Sequence, residues 1–246
     1  MPAPIRTTLP EPSTPATAQP WGLRDALLGW GAAVVMGAVV GAIIIGVAGY
    51  AGSKAEELPL WLIAITQVPL WTGLLGAPLL AARRARGTLA GEFGFTIRPV
   101  DVPVGIVVGV VGQFVVVPLI SWPWLELLGK SAHDLGQVAE QLVSKANDPI
   151  GVVLLILIVA IGAPIVEELF YRGLFLRSLQ QVVPVWAAIV LCGLGFGASH
   201  FEVLALPALS TFGMLLAWLT WRTKRLGPAI MAHLTFNSLT VWYLLR

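Results

Sequence analysis

One cysteine, Cys192, in 246 residues leaves no partner for an intramolecular disulfide and no thiolate cage for a metal. Charge is scarce as well. Only 11% of the residues are charged, against about 25% in a soluble domain, and 57% are hydrophobic. That leaves too little polar surface to cover a soluble particle, so the composition specifies an integral membrane protein (mean hydropathy +0.84). A net charge of +2 without a basic stripe is too small to argue for nucleic acid, and no nucleic-acid partner is expected. Neither the HExxH helix of soluble zinc proteases nor an internal repeat of the transporter kind is present.

What the sequence does hold is long apolar runs. A helix needs roughly 20 residues to cross a ~30 Å hydrocarbon core, and candidates lie at 26–50, 60–82, 102–121, 150–177, 184–201, 203–221 and 227–245. The fold class expected is all-α: a polytopic bundle of about seven spans with a polar cavity between its C-terminal helices. Residues 1–20, with six prolines, read as a disordered tail. Residues 21–149 read as N-terminal spans plus an amphipathic surface helix at 131–147, and residues 150–246 as the catalytic core. Segment 26–50 is about twice the length of a signal peptide's apolar region and is taken as a retained span. Most tryptophans fall near span ends, as interfacial belts require; Trp30 and Trp71 do not. With the N-terminus cytoplasmic, eleven Lys and Arg face inward and only Lys54, Lys130, Lys145 and Arg246 face outward. That asymmetry follows the positive-inside rule, and a bacterial plasma membrane fits it.

Polar side chains inside spans are costly and therefore informative. In the fourth span, Pro164 precedes Glu167, Glu168 and Arg172. Glu168 and Arg172 are four apart and share a helix face, while Glu167 is turned about 100° away. Pro164 denies a donor to the carbonyl of Ala160, so a kink or a freed acceptor is expected there. Phe196 and His200 end the fifth span one turn apart, and His233 and Asn237 align in the last. His133, in a polar segment, reads as solvated and without a partner. At 1.5 Å per residue, Glu168, His200 and Asn237 lie about 13, 24 and 15 Å from the inner interface, so all three clusters fall within the bilayer. An acid, two imidazoles, a carboxamide and a guanidinium can activate water and hold an oxyanion. Interhelical locking by the same groups is the structural alternative.

The three motifs, Glu167-Glu168-Leu-Phe-Tyr-Arg172, Phe196-Gly-Ala-Ser-His200 and His233-Leu-Thr-Phe-Asn237, resemble those of the intramembrane protease family that includes the type II CAAX prenyl endopeptidases, also called CPBP or Abi proteins. The resemblance covers about residues 150–245. It implies hydrolysis of a peptide or membrane-protein substrate within the lipid bilayer. Glu167 and His200 would activate water, His233 and Asn237 would stabilise the oxyanion, and Glu168 and Arg172 would hold the cavity in shape. Zinc stays open as a cofactor, with Glu167, His200 and His233 as its candidate ligands. Two other functions fit the same residues: a non-catalytic adaptor or bacteriocin self-immunity factor, and a proton-coupled transporter. The first three spans argue against a continuous proton path, because Gln67 and Gln113 are nearly their only polar side chains.

Overall fold

The computed structural model describes residues 19–246, so nearly all of the expected proline-rich tail lies outside the described residues. Among them the regular elements are helical and no strand occurs. Two long helices, α1 (Leu23–Val47) and α2 (Leu60–Arg84), form an antiparallel hairpin. A short α3 (Leu89–Phe93) follows, then α4 (Asp101–Leu127), the surface helix α5 (Ala132–Val143) and α6 (Pro149–Leu179). The last three helices are α7 (Val185–Ala198), α8 (Leu206–Thr223) and α9 (Gly227–Leu244).

Local chemistry sets these boundaries. The Asp25 carboxylate accepts from Gly22 N and closes the start of α1, while Arg83 and Arg84 fill the last turn of α2, where a cation suits the helix dipole. Ser131 and Asp134 form a reciprocal cap on α5. Asp148 accepts from Gly151 N, with Pro149 at the first helical position of α6.

Four helices, α1, α2, α4 and α6, are long and apolar enough to cross a membrane on their own. The seven expected spans each correspond to one helix, with shifted ends. The third runs six residues past its expected end, through Pro123, to Leu127. The fifth stops at Ala198, so His200 lies beyond the helix rather than inside it. Only Ala132–Val143 of the expected 131–147 surface segment is helical. His133 does have a neighbour, Glu140 Oε2 at 3.7 Å, on the exposed side of α5.

Helices approach closely where glycine permits it. A Cβ at Gly73 would lie 2.4 Å from Ala33 Cα, locking α2 to α1, and one at Gly193 would lie 2.6 Å from Ser210 O, locking α7 to α8. On the outside, large apolar residues such as Val39, Ile43, Val107 and Leu119 are exposed, as a hydrocarbon-facing surface requires. The basic end of the bundle is tied by ions: Arg84 pairs with Asp25, and Arg225 forks onto both oxygens of buried Asp101. At the other end Lys145 donates to the carbonyls of Glu56 and Leu58, and Val143 packs near Leu60 and Val241.

Candidate active site

The acids of α6 lie between two stretches of widened, i→i+5 turns, Ile156–Gly162 and Leu169–Phe175. Such turns are rare and concentrate at functional sites. The first has a cause in the sequence. Ala163 N–H reaches back five residues to Ile158 O, so the Val159 carbonyl would next need the N–H of residue 164, which proline lacks. Asn237 on α9 supplies the missing donor, Nδ2 to Val159 O at 2.8 Å. The acceptor that α9 meets is therefore Val159, not the Ala160 carbonyl expected from an unbroken α-helix. The wider turn moves the register by one residue. A carbonyl can only accept, so this bond also fixes which end of the Asn237 amide is nitrogen.

Behind this turn runs a buried chain of charge-assisted bonds. Arg172 Nη1 donates to Glu168 Oε1 at 2.6 Å, and its Nη2 to Gly213 O on α8 at 3.1 Å. His233 Nδ1 meets the same Glu168 oxygen at 2.8 Å. Glu168 and Arg172 are fully buried. Because a carboxylate accepts, His233 carries its proton on Nδ1, which leaves a lone pair on Nε2 in the neutral ring. That nitrogen faces Glu167 Oε2 at 3.8 Å. The Glu167 side chain is the one acid of the pair with open surface, 20% exposed against 0% for Glu168.

His200 occupies the turn after α7. Its Nδ1 donates to Phe196 O at 2.8 Å, so here too the free nitrogen is an Nε2 lone pair. Phe201, next in the chain, takes a left-handed φ of 56°, a strained choice for a bulky residue. Phe196 organises the cluster. It is buried, meets the rings of His200 and His233 edge-on at centroid distances of 4.9 and 5.6 Å, and lies 4.4 Å beneath the Arg172 guanidinium. Cation–π attraction of this kind strengthens when desolvated.

Glu167, His200, His233 and Asn237 all line one cavity of about 390 Å³, while Glu168 and Arg172 stand behind its wall. A neighbouring cavity of about 690 Å³ lies toward α1, and Glu167, His200 and Gln67 border both. Three further residues with polar atoms, none of them a sequence candidate, line these cavities. Gln67 comes from α2, and Trp30 and Trp71 are the two tryptophans away from the span ends. Their off-belt depth was the available signal. Glu167, His200 and His233 are the donors that a zinc ion would have to bring together at about 2.0–2.2 Å. Among the described residues no three His, Cys, Asp or Glu side chains are grouped to hold an ion.

Fold and cavity together define a polytopic helical membrane protein with an acid–imidazole site sunk between its helices. Residues 149–239, which carry Glu167, Glu168, Arg172, His200, His233 and Asn237, match the family model described as type II CAAX prenyl endopeptidase Rce1-like. A relative from Bacillus subtilis (strain 168), named "Putative membrane peptidase YdiL", is 31% identical over 88 residues, a match covering 36% of this chain and 36% of the relative. No solved structure matches the chain.

Proposed function

We propose that this protein is an intramembrane endopeptidase that hydrolyses a peptide bond with water activated at Glu167 and His200. The observation that carries the reading is the division of labour between adjacent acids. Glu168 is spent on Arg172 and His233, while Glu167 is open to a cavity that also receives the unprotonated Nε2 of His200. A water held between these two acceptors loses a proton to Glu167 as its oxygen attacks the substrate carbonyl carbon. His200 orders that water. The negative charge then grows on the carbonyl oxygen, where preorganised donors matter most. Asn237 spends one N–H on Val159 and keeps a second for the oxyanion. His233, held through Nδ1 by Glu168, borders the same cavity and donates to the oxyanion from Nε2–H when the ring is an imidazolium. When the C–N bond breaks, the proton held by Glu167 passes to the departing amine.

The test is hydrolysis, in liposomes, of a quenched fluorogenic peptide ending in a farnesylated Cys-aliphatic-aliphatic-X sequence, beside the same peptide without the farnesyl group. Glu167→Gln, nearly isosteric, is expected to slow cleavage by about 10²–10⁴-fold, the range of general acid–base catalysis, with the protein still folded. Cleavage of both peptides at the unsubstituted rate would remove Glu167 from the chemistry. Preference between the two peptides reads out whether the lipid is recognised.

A further inference from the structure

Carboxamides inside a membrane-crossing helix are costly unless something satisfies them, and α2 contains one, Gln67. Its polar neighbours on the same helix are accounted for. Thr66 Oγ1 donates to Ile63 O and Thr72 Oγ1 to Val68 O, each at 2.8 Å. None of the side-chain hydrogen bonds among the described residues uses the Gln67 amide. Instead Gln67 borders both cavities, beside Glu167 and His200, with Ile63 and Trp71 one turn away on the same face of α2 lining the smaller one.

The groups opposite it are largely committed. Arg172 is buried on Glu168 and Gly213, His233 Nδ1 is held by Glu168, and Asn237 gives one N–H to Val159. A peptide entering the cavity brings a carbonyl to be polarised and, on the flanking residues, an N–H and a C=O that need partners as they leave water. Gln67 is the side chain on the facing wall that offers both a donor and an acceptor. It lies outside residues 149–239, the family-matched segment.

We infer that Gln67 binds the substrate backbone next to the scissile bond and positions that bond against Glu167 and His200. The inference rests on the peptidase reading above and extends it, since it assigns α2 a share of substrate recognition that the family-matched segment does not contain.

The experiment uses the full chain in liposomes and the same fluorogenic peptides. Gln67→Leu keeps the bulk and removes both polar functions. It is expected to lower kcat/KM by about tenfold, the upper range for one neutral hydrogen bond, with most of the change in KM and an unchanged pH profile. A matched ester analogue, in which oxygen replaces the N–H of the residue flanking the scissile bond, separates binding from packing. The ester should slow the unsubstituted protein several-fold and Gln67→Leu hardly at all, because the contact is already gone. Unchanged kcat and KM in Gln67→Leu, or an equal ester penalty in both proteins, would overturn the assignment. If Gln67→Leu does not fold, Gln67→Met, which keeps the length and lacks both polar functions, is measured with the same pair of peptides and the same expectation. Loss of activity in Glu167→Gln alongside unaffected Gln67 variants rejects this inference alone; no cleavage by the unsubstituted protein rejects the peptidase reading with it.

Discussion

Glu168 and Arg172 show how much one ion pair decides when it has no access to water. Both are fully buried, and each also ties the site to another helix, Glu168 to His233 on α9 and Arg172 to Gly213 on α8. Removing one partner of such a pair costs about 3–5 kcal/mol, because the other charge stays behind unpaired. Arg172→Met should therefore lower the thermal unfolding midpoint in detergent sharply. Adding Glu168→Gln to it should cost less than the sum of the two single changes, as expected of residues in one network. Asn237→Leu tests a different link. It orphans the Val159 carbonyl, and the expected loss is about 1–3 kcal/mol of stability, read by the same unfolding assay, besides any loss of turnover. The pairing of Glu168 with Arg172 was legible from their four-residue spacing alone. The bond from Asn237 to Val159 was not, because nothing in a linear pattern tells that the turn before Pro164 widens and moves the free carbonyl.

At the scale of elements, the sequence was most informative where periodicity and length speak. Every apolar run became a helix, and the amphipathic segment around residue 138 became α5. Ends were less legible. Pro123 lies inside α4 rather than ending it, since neighbouring protein can satisfy a backbone group that proline frees within a membrane. Two further expectations belong here. Gly193→Ala would drive a methyl to 2.6 Å from Ser210 O and 2.4 Å from the Met214 side chain. Overpacking of this kind costs about 1–3 kcal/mol, and the α7–α8 hairpin should lose protection from hydrogen exchange first. The cap of α5 sets a pH limit. Hydrogen bonds from the Ser131 backbone and hydroxyl hold the Asp134 carboxyl below its ordinary 3.8. A depressed carboxyl stabilises the fold above 3.8 and loses that contribution as pH falls through its folded value. Exchange protection along α5 should hold near about pH 5 and fade below 3.8, and Asp134→Asn should flatten the dependence.

For the whole molecule, the separation of charge gives the two ends different characters. We propose that the end carrying Arg84, Arg177 and Arg225 faces the cytoplasm. Cys192 is buried and should be silent to an impermeant maleimide, so Lys224→Cys and Lys130→Cys can report sidedness directly, with the thiol at position 130 reacting from outside intact cells. Among the described residues, α7 is the shortest of the seven helices that correspond to the expected spans. The 14 residues of α7 reach about 21 Å, short of a ~30 Å hydrocarbon layer, and residues 199–205, which lead on to α8, have no regular helix. His200 lies in that unwound stretch, which is pinned to α4 by Trp124 Nε1 on Val203 O at 3.0 Å. A helix resists compression along its axis far better than a bend does, so a thinner or thicker lipid leaflet would bend this segment before it strained any rod. The distance between imidazole and acid then becomes a gauge of membrane thickness, and turnover in vesicles of graded acyl-chain length should pass through an optimum.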